Sequence, residues 1–90
     1  MFYVIAYDIP DDRRRSKLAG ELENWGTRAQ GSVFECDLDA ERANLLIERL
    51  RKMTADEDDL RVYQLCRSCL NASLVVRGGQ FAVDQDFYQV

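Results

Sequence analysis

The sequence contains no histidine, which removes Ser-His-Asp and Cys-His nucleophilic sites, imidazole general bases and every zinc motif that uses histidine. Any chemistry has to run on carboxylates, thiols, lysines and arginines, or a bound metal. Long hydrophobic runs are also missing. The apolar opening stretch, residues 1–10, is too short to span a membrane and lacks the basic flank and cleavage pattern of a secretion signal, so a cytoplasmic protein with no membrane partner is expected. Nor is there an excess of positive charge. The 12 basic residues against 16 acidic ones leave a net charge of −4, which argues against indiscriminate binding to phosphate backbones and demands a local basic patch for any nucleic-acid contact. Repeats, linkers and low-complexity stretches are absent. The three cysteines, an odd number without an export signal, point to reduced thiols rather than a disulfide framework.

What is present is an ordinary globular composition. With 90 residues, 47% of them hydrophobic and 31% charged, the chain is neither disordered nor fibrous, and a single domain over residues 1–90 is expected. A chain this short buries only about 60–68% of its unfolded surface, so a homodimer is a natural way to gain core.

Residues 2–7 form a continuous aromatic and β-branched run that predicts a central strand covered on both faces. Asp11 and Asp12 open a helix whose apolar face is Leu18, Leu22 and Trp25, with Gly26 as its stop. From 27 to 38 the period is two, with Phe34, Cys36 and Leu38 on one side, and the segment reads as one strand. Asp39 caps a second helix carrying Ala43, Leu46, Ile47, Leu50 and Met53. The acidic run 56–59 reads as a solvated loop, because adjacent carboxylates without a shaping glycine do not resemble an ion-binding loop. Residues 60–65 and 73–77 predict two further strands, Gly78-Gly79 a turn, and 81–90 a short tail strand. The simplest packing is α+β and ferredoxin-like, two helices on one face of a four-stranded antiparallel sheet, although the usual order puts two strands between the helices where this pattern shows one. Either one element is miscounted or the tail supplies the last strand, and the uncovered sheet face invites a partner.

Asp8, at the end of the apolar strand, suits either a helix cap or a Mg²⁺ ligand, and a two-fold dimer would double the carboxylate count. Arg13, Arg14, Arg15 and Lys17, with Arg28 on the next element, form either a phosphate-binding surface or a solvated helix face paired with Glu21 and Glu23. Arg42, Arg49, Arg51 and Lys52 read as solvated. Cys66-Arg67-Ser68-Cys69 is a lone C-x-x-C without the second pair that zinc needs, read as two thiols in a strand-ending turn. Phe34 and Trp25 read as core.

Taken together, residues 3–9, the Arg-rich 11–15, Gly26-Thr27-Arg28, residues 32–36, Arg61-Val62-Tyr63 and 65–69 closely resemble the CRISPR-associated protein two family, the small partner of the CRISPR integrase in spacer acquisition. The resemblance implies a β-α-β-β-α-β subunit in which 27–38 folds into two strands, as a hairpin through Gln30-Gly31-Ser32 or as a bent strand. It also implies a homodimer in which the tail strand, residues 84–90, crosses to the partner's sheet. Asp8 matches the family position that binds a divalent metal, taken as Mg²⁺, at the dimer interface. Tyr7, Arg15, Arg28 and Phe34 fall where the family places residues implicated in nuclease activity, and Lys17 stands where an arginine occurs. Gly31 departs from the bulkier residue expected there. Two roles follow from the resemblance: a metal-dependent phosphodiesterase acting on RNA or double-stranded DNA, and a non-catalytic bridge between integrase dimers. A toxin-like ribonuclease outside CRISPR is the further alternative.

Overall fold

In a computed structural model, which describes residues 1–82, the opening apolar run becomes the central strand β1 (Phe2–Asp8). Helix α1 (Asp12–Glu23), strands β2 (Thr27–Gln30) and β3 (Val33–Asp37), helix α2 (Ala40–Met53), strand β4 (Asp59–Leu65) and a short helix α3 (Arg67–Ala72) follow. The sheet order is β2-β3-β1-β4, antiparallel throughout. Two strands lie between α1 and α2, so the ferredoxin-like order expected from the resemblance is the one found, and the reading of 27–38 as a single strand is corrected. Residues Gly31 and Ser32 separate the paired Gln30 and Val33. The paired Gln30 and Val33 share a face, which shifts the alternation by one. The register irregularity between Arg28 and Gln30 shifts it back, so that Arg28 stands opposite Phe34 and the period of two shows no break.

Side-chain alternation along β1 divides its residues between two environments. Tyr3, Ile5 and Tyr7 join Phe34 and Cys36 of β3, Leu18 and Leu22 of α1, and Ala43, Leu46 and Leu50 of α2 in one buried core. Phe2, Val4, Ala6 and Asp8 face the other way, away from the core shared with α1 and α2, where Phe2 is buried against Phe81 and Asp8 is exposed. Both long helices begin as the sequence requires: the Asp11 carboxylate accepts from the Arg14 N–H at 2.7 Å and the Asp39 carboxylate from the Arg42 N–H at 2.8 Å, each cap worth about 1 kcal/mol. Gly26 follows α1 as expected, but its reason is contact. A Cβ there would sit 2.2 Å from the Glu35 carbonyl oxygen and 2.5 Å from the Cys36 sulfur.

Past β4 the expectations need correction. Residues 66–72 are not a turn: Cys66 precedes α3, which packs through a single buried residue, Leu70. One apolar anchor in six residues leaves no periodicity to read. Residues 73–77 form no strand, and Leu74 and Val76 are 72% and 83% exposed. Strand propensity is realised only by pairing, and although Val75 and Arg77 line a cavity with the edge strand β2, the described residues 73–77 join no ladder. Phe81 and Ala82 are not strand either: Phe81 sits edge-on to Phe2 at 6.0 Å, and the Ala82 N–H donates to Glu35 Oε1 at 3.1 Å. The tail strand expected at 84–90 lies outside the described residues.

Candidate nucleic-acid interface

The residues singled out in the sequence separate into three places. The first is a cleft of about 400 Å³ lined by Tyr7, Arg15, Ser16, Ala19, Arg28, Gly31 and Ser32. Tyr7 comes from β1, Arg15 from the first turns of α1, Arg28 from the edge strand β2, and the β2–β3 turn closes one side. The cleft stays open at Gly31, where a Cβ would meet nothing within 4 Å. Arg15 is aimed by Nη1, which donates to the Ile9 carbonyl at 2.9 Å, and by an ion pair with Asp12. The Arg28 guanidinium lies 5.1 Å from the centroid of Phe34 and 3.8 Å from Glu23, and the Phe34 ring stacks on Tyr7 at 6.3 Å. Phe34 itself is fully buried. It therefore forms the floor that supports Tyr7 and Arg28, and its expected place among groups that touch substrate is corrected to the core position that its alternation alone predicts.

The second place is a groove of about 350 Å³ lined by Asp11, Arg13, Arg14, Lys17, Lys52 and Met53. Arg14 does not present its charge there. Its Nε and Nη2 donate to the two Asp58 carboxylate oxygens at 2.6 and 2.8 Å, and Nη2 also reaches Glu57 at 2.8 Å. The Asp58 side chain is only 1% exposed and also accepts the Ala55 N–H at 2.8 Å. The acidic run is thus not simply a solvated loop: Asp58 ties the β4 approach to α1, and Arg14 is spent on that tie rather than on nucleic acid. Lys52 is exposed as its spacing predicts, and its place on α2 also brings it to this groove with Arg13 and Lys17.

The hydrogen bonds from Arg14 hold the Asp58 carboxyl below its ordinary range. A depressed folded value contributes stability that is fully present above the unfolded carboxylate pKa of about 3.9 and is lost as pH falls through the lower folded value. The melting-temperature gap between wild type and Asp58→Asn is therefore expected to be widest near neutrality and to close in acid. A gap independent of pH in thermal melts would assign the loss to something other than this ion pair.

The third place is the open sheet face. Asp8 ends β1 there, exposed, opposite Asp59 in the β4 register. It shares a shallow depression with Ala6, Tyr7, Asp59 and Arg61. Asp59 is engaged by Arg61, whose Nε and Nη2 donate at 2.9 and 3.2 Å, and this holds its carboxyl below the ordinary range. Among the described residues no group of three or more potential ligands gathers. Mg²⁺ is commonly held by one or two carboxylates with several retained waters. A single exposed Asp8 per chain fits such an ion when a second copy contributes its own. Tyr7 and Asp8 are adjacent in sequence but point to opposite faces, so one phosphodiester that touches both Asp8 and Arg15 must lie over the end of β1.

Comparison with known proteins agrees with this architecture. Residues 1–72 match the family described as CRISPR associated protein Cas2. A CRISPR-associated endoribonuclease Cas2 from Synechocystis sp. is 59% identical over 64 residues, 70% of each chain. A hypothetical protein of Thermus thermophilus superposes with a TM-score of 0.75 at 41% identity, over 90% of this chain and 95% of that one. A chain of a partial Cas6-RT-Cas1–Cas2 complex superposes with a TM-score of 0.72 at 30% identity, over 83% of this chain and 89% of its own.

Proposed function

The chain belongs to the CRISPR-associated protein Cas2 family, and from that membership we propose that it serves spacer acquisition in antiviral defence as a dimeric, nucleic-acid-binding adaptor to the Cas1 integrase. In the same reading Asp8 of both copies holds Mg²⁺ and gives the dimer a phosphodiesterase activity toward RNA or double-stranded DNA. The cell compartment is the cytoplasm; no helix among the described residues is long and apolar enough to cross a membrane.

The observation that carries the reading is the placement of cations. In a chain of net charge −4, Arg15 and Arg28 converge on one cleft, while Arg13 and Lys17 of α1 line a second groove with Lys52 of α2. Arginine contacts phosphate through two parallel hydrogen bonds, and such contacts position a backbone without specifying its sequence. The homodimer is supported by the sheet face turned away from α1 and α2, where Tyr63 is 50% exposed and Val4, Ala6, Val33 and Leu65 are half-buried. The exposed run Leu74-Val75-Val76 adds apolar surface that one chain leaves uncovered. Bound Mg²⁺ would neutralise charge developing on the phosphodiester and activate water. Arg15 and Arg28 would hold the phosphate, and the Phe34 ring keeps Arg28 in position. The presence of Cas1 in the complex of a similar chain supports the integrase as partner.

The adaptor reading is tested by duplex binding of the chain with Cas1 across a salt series. Arg13→Glu with Lys17→Glu is expected to lower the slope of log affinity against log salt by about 1 for each phosphate contact removed. Arg14→Ala, assayed where it remains folded, is expected to leave the slope unchanged. Undisturbed duplex binding by the double reversal would sink this assignment.

A further inference from the structure

Beside Asp8, on the sheet face turned away from α1 and α2, stands a carboxylate that the metal reading above leaves unused. Asp59 of β4 is directly opposite Asp8 of β1, and Arg61 is directly opposite Ala6. Opposite residues of an antiparallel pair share a face, as do residues two apart on one strand, so Asp8, Asp59 and Arg61 line one shallow depression. Two like charges in direct opposition repel each other. Arg61 stands diagonally across from Asp8 and two residues from Asp59, and a side chain of its length can reach either carboxylate. It takes Asp59: Nε and Nη2 donate to the two Asp59 oxygens, one nitrogen to each, at 2.9 and 3.2 Å. Such a fork engages a carboxylate on both oxygens. The Asp8 carboxylate, by contrast, has no hydrogen bond or ion pair among the described residues. Both members of the Arg61–Asp59 pair are exposed, so the pair adds little to stability. Its consequence lies in which oxygens remain for an ion.

We propose that Arg61 is a positioning residue that sets metal specificity: by engaging Asp59 it limits each copy to one ligand carboxylate, Asp8, and so favours Mg²⁺ over Ca²⁺. This role rests on the reading above, in which Asp8 of both copies holds the ion. Mg²⁺ is commonly bound through one or two carboxylates and keeps several waters, whereas Ca²⁺ takes about 6–8 oxygens and binds more tightly as the charge of its ligands rises. One Asp8 from each copy suits the first ion. Release of Asp59 would give the dimer two carboxylates from each copy, a set that suits the second. Loss of the Arg61 charge alone would strengthen binding of both divalent ions alike, so the ratio of the two affinities separates the number of ligands from the local charge.

The test titrates the metal-free full chain with Mn²⁺, followed through the EPR signal of the free ion, and then displaces the bound ion with Mg²⁺ or Ca²⁺ at constant pH and ionic strength. Arg61→Gln is expected to shift the preference toward Ca²⁺ by at least about tenfold. Arg61→Gln combined with Asp59→Asn is expected to restore the wild-type ratio, and Asp59→Asn alone to leave it unchanged. Both positions are exposed, and circular dichroism checks that each variant is folded. An unchanged ratio in Arg61→Gln overturns the assignment, and so does a shift that persists when Asp59 is also replaced. Asp8→Ala shows which step has failed. Mn²⁺ binding lost in Asp8→Ala, together with an unchanged ratio in Arg61→Gln, removes the role of Arg61 and leaves the Asp8 ion in place. Binding that survives Asp8→Ala, or is absent from wild type and Arg61→Gln alike, removes both.

Discussion

Phe34→Ala is expected to destabilise the protein by about 3–5 kcal/mol, the range for removing a fully buried aromatic side chain. The ring has no exposed surface, lies opposite Ile5 in the β1–β3 register and stacks on Tyr7. In a domain whose total stability is about 5–15 kcal/mol, that loss unfolds a substantial part of the population at growth temperature. Its effect on nucleic-acid binding should therefore follow the folded fraction. Phe34→Leu separates packing from contact, because it keeps most of the buried volume and removes only the π face. Leucine is expected to retain folding and most binding, with a modest loss because the ring no longer attracts the Arg28 guanidinium above it. Chemical denaturation alongside binding decides the matter: a folded Phe34→Leu that binds as poorly as Arg28→Ala would return the ring to the contact surface.

The fate of Phe34 shows which part of this protein its sequence makes legible. Alternation at 33–38 and helical spacing at 18–25 and 43–53 depend only on which face is buried, and the core contains most of the residues they select, with Trp25 and Met53 packed against its margin and Ile47 only half-buried. The hairpin at Gly31-Ser32 is not legible from periodicity, because the irregularity between Arg28 and Gln30 offsets the phase change of the turn and leaves Arg28 on the same face as Phe34, and it becomes legible only through the resemblance. Register is invisible in the same way. Nothing in the order of residues says that Asp59 stands opposite Asp8, or that Asp58 reaches across to Arg14, because both depend on how two distant segments align. The basic run shows the consequence. Four cations within five residues look equivalent as a string, yet helix geometry sends Arg14 to a buried carboxylate, Arg15 to the end of β1, and Arg13 and Lys17 to the groove with Lys52. Residues 73–77 mark the other limit, since their propensity is real and yet among the described residues they pair with no strand.

Asp8→Ala is expected to leave stability within about 0.5 kcal/mol of wild type, as for other exposed positions without a structural partner. The same change is expected to lower Mg²⁺-dependent cleavage of RNA or duplex DNA by at least about 100-fold, since metal stabilisation of a phosphodiester transition state is worth several kcal/mol. Asp59→Asn is expected to do less, because its carboxylate is already engaged by Arg61. The two-fold character of the site gives a sharper test. If one Mg²⁺ needs Asp8 from both copies, dimers reassembled from wild type and Asp8→Ala lose activity as the square of the wild-type fraction, because mixed dimers carry one carboxylate where two are required. A linear loss would show that each copy acts alone and would remove the shared metal. Equal cleavage by wild type and Asp8→Ala, or none by either with Mg²⁺ supplied, would end the phosphodiesterase reading. The adaptor role would then stand on the cations of α1, β2 and α2, whose contacts with a duplex require no metal at all.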